Sequence, residues 1–140
     1  MNASRIPAAA LICLAPLLVS AGTPAIDSPM ICSLGRAVEC ADDLSCGPPV
    51  PQMVPPTFLH VDLDKKLVTL LGPAERRGET SEIRAIVREA GHIVLTGTEA
   101  GRAWGAVIAE ADGSMTLTVT LERSGFVVFG NCIAASETSP

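Results

Sequence analysis

The chain has 140 residues and a net charge of −5, from 15 acidic and 10 basic side chains. That balance argues against nucleic acid and against an anionic lipid surface, since both require basic patches. The length supports one domain and is too short for two.

Asn2 to Arg5 carries a single positive charge, and Ile6 to Val19 (IPAAALICLAPLLV) is an unbroken apolar run. The run closes on Val19-Ser20-Ala21, with small residues at the two positions that matter for cleavage. This is the layout of a secretory signal peptide spanning residues 1–21, with Thr23-Pro24-Ala25 as a poorer cleavage site. The run is shorter than the roughly 20 residues needed to span a bilayer, and Pro7 and Pro16 disfavour a spanning helix. Cys13 follows the bulky Leu11 and Ile12, so it is read as an apolar filler lost with the signal, not as a lipid-attachment site. Losing Arg5 leaves nine basic and fifteen acidic residues, a charge of 9 − 15 = −6. The expected location is periplasmic or secreted, with no stable membrane insertion after processing.

Four cysteines follow: Cys32, Cys40, Cys46 and Cys132. An even number in an exported chain reads as disulfides. Structural zinc sites place a first ligand pair two to four residues apart, which the spacing here does not provide, and the C-x-x-C of a redox site is absent. Four cysteines allow three connectivities, and spacing alone selects none. The turn formers Asp42, Asp43 and Ser45 favour Cys40–Cys46, with Cys32–Cys132 tying the start of the mature chain to its end. Gly47 to Pro56 (GPPVPQMVPP) then excludes helix and central strand, and reads as a stiff linker. Residues 22–56 are therefore a cysteine-bearing arm and linker.

From Thr57 the hydrophobic period is two. Expected strands are Thr57–Leu63, Lys66–Leu71, Glu82–Arg88, His92–Thr96, Arg102–Ala109, Ser114–Leu121 and Phe126–Gly130, joined by turns such as Asp64-Lys65, Ala90-Gly91 and Asp112-Gly113. The clearest alternation sets Met115, Leu117, Val119 and Leu121 against Thr116, Thr118, Thr120 and Glu122. Glu79–Glu89 has some helical character, but a partner strand follows directly, and only Ile86 breaks its strand pattern. The fold class is all-β: an antiparallel meander of about seven short strands over residues 57–133. It should close partly or fully into a small barrel, or bend strongly, because so small a domain cannot leave seven strands flat. Residues 134–140 are read as a tail.

Chemistry is sparse. His60, Asp62 and Asp64 alternate along HVDLD and are the weak candidates for a metal or acid–base group; the simpler reading is the wet face of an edge hairpin. His92 is most simply a turn residue. There is no G-x-S-x-G elbow, and GTEAG (Gly97 to Gly101) lacks the lysine and helix of a phosphate loop, so no catalytic residue and no cofactor are implied. Trp104, the only tryptophan, shares a face with Ala106 and Ile108 and either lines a pocket or fills the core. The polar loop Gly72–Ser81 holds Arg76 and Arg77, the candidate ligand or partner contacts.

The segments VDLDKKLVTLLGPAERRGETSEI, LTGTEAGRAWGAVI and GFVVFGNC together resemble small exported proteins of alphaproteobacteria with a CSLxxAVxC-type start, a β-rich body and a final G-x-C. The resemblance spans about Ile31 to Ile133. It implies a compartment and a layout, and no catalytic residues. Barrel-shaped periplasmic lysozyme inhibitors are similar in architecture only. The reading is an exported, non-catalytic domain that binds a protein partner or small ligand in the cell envelope. The alternatives are a small metal-dependent or hydrolytic enzyme around His60, Asp62 and Asp64, and a structural accessory subunit of an envelope complex.

Overall fold

The computed structural model describes residues 26, 29–49 and 56–135. The signal segment and its cleavage site, the centre of the proline-rich linker and the tail beyond residue 135 lie outside the described residues. Nine strands follow in chain order: β1 Met30–Ala41, β2 Cys46–Gly47, β3 Phe58–Asp62, β4 Leu67–Gly72, β5 Thr80–Glu89, β6 His92–Glu99, β7 Arg102–Ala109, β8 Ser114–Thr120 and β9 Ser124–Ala134. Each of β3 to β9 pairs antiparallel with its sequence neighbour, β1 pairs with both β3 and β9, and the sheet closes into an eight-stranded barrel. The short β2 hangs on the upper half of β1 outside that ring. Closure removes the free sheet edges that a small meander would otherwise expose.

The turn chemistry explains why the strands meander. Ala90-Gly91 and Ala100-Gly101 both have two consecutive residues at positive φ (49° and 76°, 47° and 78°). That is the geometry of the two-residue hairpin whose twist matches the flanking strands. At Asp112, the side chain accepts the Ser114 backbone N–H at 2.9 Å, which fixes the start of β8. Between β3 and β4, Asp62 does the same for the backbone N–H of Lys65 at 2.9 Å.

The cysteine-bearing arm turns out to be part of the barrel. Met30–Ala41 runs the full length of β9 and supplies the closing strand. Its hydrophobic pattern is hidden by a bulge between Leu34 and Arg36. Met30, Cys32 and Leu34 point inward before it, whereas Ala37 packs on the core after it. One extra residue reverses the facing of everything downstream. A second bulge, between Ile83 and Ala85, accounts for Ile86: it brings Ile83 and Ile86 both to the interior and leaves Val87 48% exposed. The strand reading of this segment holds, with Ala85 and Val87 facing out instead of in.

Both disulfides join residues that are directly opposite in register, Cys32–Cys132 between β1 and β9 and Cys40–Cys46 between β1 and β2. The first is buried in the core beside Met115; the second sits at the opposite end. Among the described residues no helix is long and apolar enough to cross a membrane.

Candidate functional site

The barrel has two unlike ends. At one lie the β3–β4, β5–β6 and β7–β8 turns, with both ends of the described barrel chain; at the other lie the β4–β5 loop and the β6–β7 and β8–β9 turns. Inside, near the first end, Met30, Cys32, Val61, Ile93, Ile108 and Cys132 are at most 2% exposed. Toward the second end the packing opens into a cavity of about 120 Å³. Leu59, Leu70, Leu95 and Leu117 form its walls, with Val61, Ile108 and Met115 beneath. Small residues create the room, since Ala106 stands between Leu95 and Leu117 in register and Gly97 faces Trp104.

Trp104 resolves the choice between core and pocket by doing both. Its ring is half-buried against the core and lines the cavity. A Cβ at residue 97 would collide with Cζ2 and Cε2 of the indole and with the Glu82 carbonyl, so the ring lies over bare backbone. Aromatic cover of a strand glycine is a recurrent way to hold a barrel wall in shape. The indole N–H reaches past β6 to donate to Ser81 Oγ at 2.9 Å. Ser81 is itself buried, so each polar group satisfies the other.

The mouth is charged. Glu99 and Arg102 end the β6–β7 hairpin as register partners, one rung above Gly97 and Trp104 on the inward face. Their side chains are both 37% exposed and stand 3.8 Å apart, with Arg102 Nε donating to the Glu99 carbonyl at 3.4 Å. Across the opening, a 3₁₀ turn at Ala74–Arg76 presents Arg76, whose Nε and Nη2 both donate to Glu79 Oε2, at 3.0 and 2.7 Å. Those hydrogen bonds hold the Glu79 carboxyl below its usual range; desolvation opposes them, and the charges of Arg76 and Arg102 assist.

Arg76 and Trp104 therefore belong to one site, as lining residues of the same cavity. Arg77 is used differently: its Nε donates to the Leu71 carbonyl at 3.1 Å and clamps the base of the loop. Glu99 escapes the sequence reading because the expected strand stops at Thr96, and continuing the alternation of Leu95 and Gly97 by one step places it inward; Arg102 already lies in the expected strand Arg102–Ala109, in step with Trp104. His60, Asp62 and Asp64 are not brought together around a cation position: among the described residues no group of three His, Cys, Asp or Glu side chains gathers in that way. Asp62 is spent on the β3–β4 turn, bonded to Lys65 N–H and, at 3.0 Å, to Lys65 Nζ. His92 opens β6 with Nδ1 at 2.9 Å from the Ala90 carbonyl, and Thr118 and Thr120 face solvent. Comparison of the chain with family models, curated proteins and solved structures returns no match.

Proposed function

We propose that the protein is an exported, non-catalytic barrel that takes a small apolar ligand, or the apolar end of a larger one, into the open end of its interior. The supporting observation is the cavity itself: about 120 Å³, walled by leucine and tryptophan and topped by paired charges. Eight-stranded barrels are just wide enough either to fill with side chains or to hold one small ligand. Here Ala106 leaves the second option, while Gly97 lets the Trp104 ring lie against the wall. The size limits the guest, since an engineered apolar cavity of roughly 150 Å³ accepts benzene. The two disulfides and the N-terminal apolar run support an oxidising, extracytoplasmic setting.

Trp104 is the only tryptophan and there is no tyrosine, so its fluorescence reports on the cavity without interference. Titration with toluene should shift Trp104 emission and raise the melting temperature, as any ligand specific to the folded state does. Ala106→Leu, which fills the space between Leu95 and Leu117, should remove both responses while keeping the β-sheet circular dichroism of the parent. The reading fails if toluene near its solubility limit alters neither signal in the unmodified protein.

A further inference from the structure

The mouth specifies more than an apolar guest. Of its two ion pairs, Arg76–Glu79 is closed: the guanidinium donates twice to one carboxylate oxygen, at 3.0 and 2.7 Å. Glu99–Arg102 is open: 3.8 Å separates Nη2 from Oε1, beyond hydrogen-bond distance, and among the described residues the guanidinium's one hydrogen bond is a long one to a carbonyl of its own turn. Arg102 has five N–H donors in a planar fork, and this geometry leaves most of them unused. The Glu99 carboxylate beside it accepts nothing from that fork at bonding distance. Both side chains face inward, because Glu99 continues the inward series Ile93, Leu95 and Gly97, and Arg102 continues Trp104, Ala106 and Ile108.

The pair thus presents a positive and a negative group side by side, one rung of the barrel, about 7 Å, above the indole and the space beneath it. Within each of these two ion pairs the charges cancel, Arg76 against Glu79 and Arg102 against Glu99. A purely anionic head would satisfy Arg102 but leave Glu99 facing it as a like charge, on a chain that is already acidic overall. A purely cationic head would have the opposite fault at Arg102. A head carrying both charges on neighbouring atoms meets neither objection.

We infer that the barrel binds a zwitterionic α-amino acid with a bulky apolar side chain, its carboxylate on Arg102, its ammonium on Glu99 and its side chain past Trp104 into the cavity. This rests on the reading of the cavity as a ligand site, and the following experiment separates the two. Four probes are titrated into the full mature chain, followed by Trp104 emission: L-phenylalanine, 3-phenylpropionate (no ammonium), phenethylamine (no carboxylate) and toluene (no head). L-Phenylalanine should bind about tenfold or more tighter than either single-headed probe, the expected worth of one hydrogen-bonded charge. Arg102→Gln should reduce L-phenylalanine to the affinity of phenethylamine, and Glu99→Gln to that of 3-phenylpropionate. Equal affinity for L-phenylalanine and 3-phenylpropionate, or an unchanged L-phenylalanine affinity in Arg102→Gln, overturns the assignment while toluene binding leaves the cavity reading standing. If toluene also fails to bind, the cavity reading falls and this assignment with it.

Discussion

The two ends of this barrel are built from the same strands and differ in what those strands carry. At the closed end, β1 and β9 are joined through the core by Cys32–Cys132, and Met30, Ile93 and Ile108 have no exposed surface at all. At the open end the same inward positions hold Gly97, Ala106 and Trp104, and the staple there, Cys40–Cys46, ties a short hairpin outside the ring. The difference shows how a small barrel can hold a cavity. Packing and cross-linking concentrated at one end supply the stability, so the other end can tolerate missing atoms and paired charges. Loss of packing at either end should therefore have unequal effects.

Removing each disulfide is the strongest way to break that contrast. Cys32–Cys132 closes a loop with a sequence separation of 100, and Cys40–Cys46 one of only 6. On the loop-entropy model these contribute about 4–5 and about 2 kcal/mol respectively. The paired substitution Cys32→Ala with Cys132→Ala also empties two fully buried positions, so it should shift the urea midpoint far more than Cys40→Ala with Cys46→Ala. Equal midpoints for the two variants would show that stability is shared evenly along the barrel.

Core truncations sharpen the same comparison at a smaller scale. Ile93→Ala removes a side chain with no exposed surface that does not line the cavity, and should cost about 2–5 kcal/mol, because the dense closed end cannot collapse onto the void. Val119→Ala lies two residues beyond Leu117, half-buried and already beside empty space, and should cost about 1 kcal/mol. Urea denaturation of the two variants is the check. A Val119→Ala loss as large as that of Ile93→Ala would mean the open end is packed as tightly as the closed one.

The same contrast runs through what could be read from the residues. Strands β7 and β8 were plain because Trp104, Ala106, Ile108 and Met115, Leu117, Val119 alternate without interruption. Strand β1 was not, because Gly35 and Arg36 insert a bulge that reverses its facing halfway along, and its upper half carries Arg36, Glu39 and a cysteine, none a marker of a strand. A period-two pattern signals only while the phase holds. The candidate site was legible in part for a related reason. Arg76 stood out as one of two adjacent arginines in a polar loop, and Trp104 as the only one of its kind. Glu99 looks like an ordinary turn charge until β6 is extended to the hairpin tip, where it meets Arg102, the first residue of β7. Their convergence with Arg76 depends on the pairing order β4-β5-β6-β7, which sets the β4–β5 loop and the β6–β7 turn at one end, and on the curvature of the sheet, which no local pattern encodes.

The smallest expected effect concerns acid. Each end carries a carboxylate held below its ordinary range: Asp62 at the closed end, chiefly by the Lys65 backbone N–H with the Lys65 side chain next, and Glu79 at the open end, chiefly by Arg76. A carboxyl whose folded value lies below its unfolded one adds stability that is complete above the unfolded value, near 3.8 for aspartate, and disappears as the pH falls through the folded value. Asp62→Asn keeps the shape of the turn without the charge. Its urea midpoint should lie below that of the parent at pH 6, and the two should converge at pH values below the folded value of Asp62. Glu79→Gln should show the weaker dependence, because Glu79 and Arg76 are both solvent-accessible and their pairing is screened. The Asp62 side chain is 11% exposed against 43% for Glu79, so solvent screens its interactions less. A larger acid dependence for Glu79→Gln would reverse the order of the two ends and place the electrostatically sensitive part of the barrel at its mouth.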